Sequence, residues 1–218
     1  MELGDYVRIL RQRGWLIILL ALLTAAAAFG FSKMQTPVYK SSLKLLVSPS
    51  RTDFGQAQAA KVLLRGYESW MLSSLRADLV INQLQLDMTP RQLLGDVAVT
   101  SDDSRFIIQF DVKNSNGDLA NDIARTWGDL LIQRQEEINA TLRKEDRIGI
   151  EPIDMPTYSL DSPKTTINTA AGGVFGALLG VIVVFVLEWL ASGVVRRPED
   201  VDRYLDIPVI GAIPYQSD

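Results

Sequence analysis

Apolar residues are distributed along this chain in two different ways. Near each end they form a long run that is apolar on every side. The first is WLIILLALLTAAAAFGF, residues 15–31, with no charge inside it. The second is INTAAGGVFGALLGVIVVFVLEWL, residues 167–190, uncharged until Glu188. A helix of about 20 apolar residues crosses the hydrocarbon core of a bilayer, so the two runs predict spans over residues 15–34 and 167–190. Arg8, Arg11 and Arg13 ahead of the first run, with small residues at 25–28, also fit a cleaved signal peptide. The run is longer than the roughly 7–15 apolar residues of a signal sequence, and reads as an uncleaved anchor.

Between the runs the pattern is periodic. Residues 38–47, VYKSSLKLLV, alternate, with Tyr39, Leu43, Leu45 and Val47 on one face and Lys40 and Lys44 on the other, which predicts a half-buried strand ended by Pro49. Residues 56–86 predict a helix whose stripe is Leu63, Tyr67, Trp70, Met71, Leu75 and Leu79, a face turned to a core. Thr89 as N-cap and Pro90 at the first helical position open a short helix that Gly95 closes. Residues 97–100 and 105–112 read as strands around a turn at Asp102-Asp103-Ser104, with Phe106, Ile108, Phe110 and Val112 sharing a face. After a loop at 114–117, Leu119, Ile123, Trp127, Leu130, Leu131, Ile138 and Leu142 mark another amphipathic helix. Residues 148–153 are a last short strand, with Pro152 suited to an edge or a bulge.

The organisation expected is therefore an α+β extracytoplasmic domain, residues 35–155, carried by two transmembrane helices. A proline-rich connection over 156–166 leads to the second of these. Residues 1–14 and 191–218 form a cytoplasmic N-terminus and tail. Arg8, Arg11 and Arg13 precede the first span, and Arg196, Arg197 and Arg203 follow the second. The positive-inside rule then puts both termini in the cytoplasm.

The net charge of −4 and the lack of a basic patch argue against nucleic acid as a partner. Cysteine and histidine are both absent. That removes disulfides, thiolate metal sites and the commonest general base. No phosphate-binding loop, nucleophile elbow or metal-ligand cluster can be read. Asp102-Asp103 reads as a turn and Glu136-Glu137 as a solvated helix face. Glu188 lies in a span, where an acid is a functional candidate, but one turn from its end. The expectation is a protein without catalytic, cofactor or metal residues.

Three stretches carry a resemblance. MELGDYVRILRQRGWLI leads into the first span. Ser162-Pro163-Lys164 is followed after eleven residues by Gly176 and then Gly180. RRPEDVDRYLDIPVIGAIP forms the tail. Together they resemble the Wzz-type polysaccharide co-polymerases, or chain-length determinants, in the compact form that has a separate kinase. In that family's motif two spaced prolines precede Ser-Pro-Lys. Here Pro156 stands one residue early, and Pro152 lies four residues before it rather than three.

Prolines fix φ and donate no hydrogen bond, so Pro152, Pro156 and Pro163 predict a stiff, extended connection, with Lys164 at the headgroup boundary. Gly172, Gly176 and Gly180 fall on one ridge of the second span and would let another helix approach closely. Ala21, Ala25 and Ala28 of the first span offer a face for it. The resemblance implies a ring-like homo-oligomer that regulates the length or export of exopolysaccharide, capsule or O-antigen made by a separate polymerase. It implies location in the bacterial plasma (inner) membrane. It also implies docking of the tail onto a cytoplasmic P-loop tyrosine kinase. The contact residues would be Arg196, Arg197, Pro198, Tyr204, Pro208, Val209, Ile210, Ile213 and Pro214. The competing reading is a two-span membrane sensor whose outer domain binds a ligand.

Overall fold

The computed structural model describes residues 3–51 and 53–192, with side chains over 11–51 and 53–190. The chain divides into two units, one built from its two ends and one being Gln35–Lys164. Within the first are two long helices, α1 (Leu3–Met34) and α6 (Thr165–Ser192). Their stretches Arg11–Met34 and Thr165–Leu190 are long and apolar enough to cross a membrane.

The second unit is an α+β domain. Its order is β1 (Val38–Pro49), α2 (Phe54–Met71), α3 (Ser74–Leu84), α4 (Pro90–Asp96), β2 (Val97–Asp102), β3 (Ile107–Asn114), α5 (Gly117–Thr141), β4 (Ile148–Pro152) and β5 (Thr157–Ser162). The sheet is antiparallel, in the order β2-β3-β1-β4, with β5 also on β1. The 12-residue β1 is its axis. One side of β1 pairs with β3, placing Leu43 opposite Phe110 and Leu45 opposite Ile108. Those four side chains are buried with Val47, Val97, Val99 and Val112 on the face that meets the helices. Alternation sends Ser42, Lys44, Gln109 and Asp111 to the other face, which is open and mostly polar, with Leu46 and Ile107 paired at one end.

Helix α5 lies on the core face through Ile123, Ala124, Trp127 and Leu131, all buried. Trp127 is fully buried, and its Nε1 donates to the Met71 carbonyl at 3.3 Å. An indole of this kind buries about 150–250 Å², a gross 4–6 kcal/mol at roughly 25 cal/mol per Å². A polar chain also runs through this core. The Tyr67 hydroxyl donates to Gln135, the Gln135 amide donates to Asn139 at 2.9 Å, and Asn139 pairs with both backbone groups of Ile148. It ties α2, α5 and β4 together while leaving each of those buried groups satisfied.

Several expectations meet corrections here. The helix over 56–86 is two helices. At its break the Ser73 hydroxyl donates back to the Trp70 carbonyl at 2.9 Å, and Ser73 takes extended backbone as N-cap of α3. The break resets the helical phase, so Ala77 and Val80 are buried, whereas Leu75 and Leu79 are exposed. Phe106 does not continue the strand face, because it holds φ 57° in the turn before β3. Gly95 does not close α4, which runs through Asp96 directly into β2. The Thr89 cap is present as a full capping box with Gln92, and Pro90 opens the helix.

The expected connection over 156–166 is largely a strand. β4 pairs with the far half of β1, Leu45 to Pro49, and β5 with its near half, Val38 to Ser42. Both run antiparallel along one edge of β1 and so act as a single interrupted edge strand. From Pro152 to Thr157 it takes five residues, against three from Leu45 to Ser42 on β1. The surplus forms a bulge at Ile153, Asp154, Met155 and Pro156. Pro152 and Pro156 bracket it, where a missing donor breaks no ladder.

Candidate functional site

The glycines of α6 lie against α1. A Cβ added to Gly172 would stand 2.6 Å from the Ala28 Cβ and 3.0 Å from the Thr24 carbonyl. One added to Gly176 would collide with the Thr24 hydroxyl and lie 2.7 Å from the Leu20 carbonyl and 2.9 Å from the Ala21 Cα. One added to Gly180 would be 2.7 Å from the Ile17 Cα. Side-chain carbons do not approach backbone this closely, so the contact requires glycine at all three positions. Ala25 faces Gly173 instead, at an ordinary 3.7 Å.

The facing row on α1 is therefore Ile17, Leu20, Ala21, Thr24 and Ala28. Thr24, Leu20 and Ile17 were not in the expected set. The clue lay in Thr24 itself, one hydroxyl in an apolar run, spaced three and four residues from Ala21 and Ala28. It donates to the Leu20 carbonyl at 2.8 Å, which satisfies it without water.

Polar contacts join the two helices at both ends of the ridge. At one end Ser32 is almost fully buried, accepts from Asn168 Nδ2 at 3.1 Å and donates to Thr165 at 3.4 Å. At the other, Arg13 and Glu188 pair at 3.5 Å. Glu188 thus has a cation beside it as well as access to the span's end.

In the outer domain the motif residues follow the edge strand. Pro152 ends β4, Pro156 precedes β5, and Ser162 ends β5, with Pro163 and Lys164 leading to α6. Beside them Lys113 and Asp161 pair at 2.8 Å. Hydrogen bonding to Lys113, aided by Lys164 and Lys40, holds the Asp161 carboxyl below its usual range. Met155 and Pro156 of the bulge, with Leu43, Leu45, Gly128 and Ile132, line an apolar cavity of about 180 Å³. Tail residues Arg196, Arg197, Pro198, Tyr204, Pro208, Val209, Ile210, Ile213 and Pro214 lie outside the described residues.

Residues 1–84 match the family described as Wzz, chain length determinant protein. Over these residues the chain is similar to the chain-length determinants. Over most of its length the chain is also similar to capsule proteins. It is 27% identical to the capsular polysaccharide biosynthesis protein CpsC of Streptococcus pneumoniae, over 95% of this chain and 91% of that one. It is 25% identical to the probable capsular polysaccharide biosynthesis protein YwqC of Bacillus subtilis, over 90% of this chain and 82% of that one. It is 22% identical to the capsular polysaccharide type 8 biosynthesis protein cap8A of Staphylococcus aureus, over 98% and 96% respectively. The match to the family model covers α1, β1, α2 and α3. The capsule relatives extend the likeness through the edge strand and α6.

Proposed function

We propose that the chain is a membrane polysaccharide co-polymerase. It sets the chain length or export of a capsule, exopolysaccharide or O-antigen that a separate polymerase makes, and it breaks and forms no sugar bonds itself. The observation that supports this most is the likeness to capsular biosynthesis proteins along nearly their whole length, including both ends of the chain. The geometry is compatible with the role. Two apolar helices in close contact are a compact anchor, and the α+β domain inserted between them is large enough to order a polymer or a neighbouring copy.

In this reading both termini are cytoplasmic in the plasma (inner) membrane, and the α+β domain lies outside. Copies assemble into a ring-like homo-oligomer, and the tail from Arg196 to Pro214 engages a cytoplasmic P-loop tyrosine kinase. Deleting the gene and sizing the polymer on gels and by size exclusion tests the role. The expected result is a shifted or broadened length distribution, restored by the wild-type chain. An unchanged distribution overturns it. Cysteines at Asp5 and Ser217 should be shielded from an impermeant external label and one at Ser115 should react. Truncation after Arg197 should abolish co-purification with the kinase.

A further inference from the structure

The open face of the sheet is mostly polar, and most of its charges are already committed. Lys40 pairs with Asp111 at 3.0 Å, and Asp111 also accepts from the Ser42 hydroxyl at 2.6 Å and from Gln109 at 2.8 Å. Lys113 pairs with Asp161 at 2.8 Å. Lys44 is different. Its side chain is exposed on this face and makes no ion pair or hydrogen bond among the described residues. Glu151 shares the face on the neighbouring strand, but is not paired with it.

Lys44 lines a cavity of about 250 Å³ with Thr100, Asp102, Arg105, Gln109 and one apolar side chain, Ile107. The Asp102 carboxylate is held in the hairpin turn, where it accepts from the Ser104 amide at 3.0 Å, the Ser104 hydroxyl at 2.5 Å and the Arg105 amide at 3.1 Å. Arg105 leans on it loosely, at 3.7 Å. Two cations against one carboxylate leave a single net positive charge. Around it stand the Thr100 hydroxyl and the Gln109 amide, the latter held in place by Asp111.

A face awaiting a protein would expose apolar anchors at its centre. Around Lys44 this one offers hydrogen-bonding groups, fixed ion pairs and one uncommitted cation, which suits a hydrated, singly charged ligand. The cavity is below the roughly 300–1,000 Å³ of sites for drug-sized ligands, so it fits one sugar ring rather than an oligomer. We propose that the Lys44–Arg105 pocket on the open sheet face binds a carboxylate-bearing sugar residue, a hexuronate, within a polysaccharide. The carboxylate meets Lys44 and Arg105, and the ring hydroxyls meet Thr100 and Gln109. This rests on the co-polymerase reading and names the ligand class that the outer domain would take.

The test uses the full chain in nanodiscs of zwitterionic lipid, with tetragalacturonate as probe and saturation-transfer NMR and calorimetry as readouts. Wild type should bind the probe and not neutral maltotetraose. Lys44→Gln should weaken binding at least tenfold, and Arg105→Gln should weaken it less. Lys113→Gln, on the same face but outside the pocket, should leave it within twofold. Both pocket side chains are on the surface, and an unchanged unfolding midpoint for each variant checks that they fold. Absence of binding in wild type, equal binding by Lys44→Gln, or equal binding of maltotetraose overturns the proposal. Displacement by millimolar inorganic phosphate, or loss of binding in anionic-lipid discs, overturns the sugar assignment in favour of a simple anion or a headgroup. If gene deletion changes polymer length but no probe binds, this inference falls and the co-polymerase reading stands. If the probe binds but deletion leaves polymer length unchanged, the reverse holds.

Discussion

Gly173 and Gly176 stand one turn apart on α6, yet the structure assigns them opposite tolerance for a methyl group. At Gly176 an added Cβ lies 2.7 Å from the Leu20 carbonyl and 2.9 Å from the Ala21 Cα, and strikes the Thr24 hydroxyl. Thr24 has no easy escape, because that hydroxyl is held to its own helix at 2.8 Å. The two backbones must then separate by about 0.5–1 Å, a gap that forfeits roughly a quarter to a half of each dispersion contact it opens. Overpacking of this kind costs typically 1–3 kcal/mol. At Gly173 the same methyl meets only the Ala25 Cβ, at 3.7 Å. Its cost should be near zero, less about 0.5–1 kcal/mol gained in helix propensity. The assay is SDS titration of the full chain in mixed micelles, followed by tryptophan fluorescence. Gly176→Ala should lower the SDS midpoint, whereas Gly173→Ala should hold or raise it. Equal midpoints would refute the close-approach argument.

Other expectations concern the outer domain. Gly66 sits inside α2 with open space where its Cβ would be, so Gly66→Ala should stabilise by about 0.5–1 kcal/mol, read as a higher thermal midpoint. Thr89→Ala removes the hydroxyl that accepts from the Gln92 amide while keeping the backbone N–H that donates to the Gln92 side chain, and should cost about 0.5–2 kcal/mol in urea titrations. Asp111 carries the pH prediction. Partial burial pushes its carboxyl up, but the Ser42 hydroxyl, the Gln109 amide and Lys40 together outweigh it and hold it below the usual value. A carboxyl depressed in the folded state stabilises above its unfolded value of about 3.9 and loses that contribution as pH falls through the folded value. The unfolding midpoint should therefore drop below about pH 4, and Asp111→Asn should flatten part of that drop.

The features legible in the sequence were those with a local cause. The two apolar runs, the alternation along β1 and the Thr89-Pro90 cap each depend on neighbours within a few residues. What was not legible depended on distance. β5 has little strand signal because it is short and flanked by prolines. It is a strand because β1, more than a hundred residues earlier, presents an unpaired edge at Val38 to Ser42. The break at Ser73 was hidden because Leu75 and Leu79 continue the helical period in sequence while the backbone restarts it. The glycine ridge could be read from one helix alone, but its facing row required both. Alanine content drew attention to Ala25, whereas contact falls on Thr24, Leu20 and Ile17. The pocket at Lys44 had no sequence signature. It exists because the neighbouring lysines found carboxylates and this one did not.

The first and last strands of the outer domain lie side by side, with Val38 opposite Ser162. Entry and exit of the domain are thus fixed to each other by the sheet itself. An inserted domain closed in this way behaves as a cassette. Residues can be added or lost in its far loops, or the whole of Gln35–Lys164 exchanged for a relative's, without altering the spacing at which the chain returns. Selection can then reshape what the domain recognises while the anchor's tight glycine contacts are left untouched. The two halves of such a protein are free to diverge at different rates.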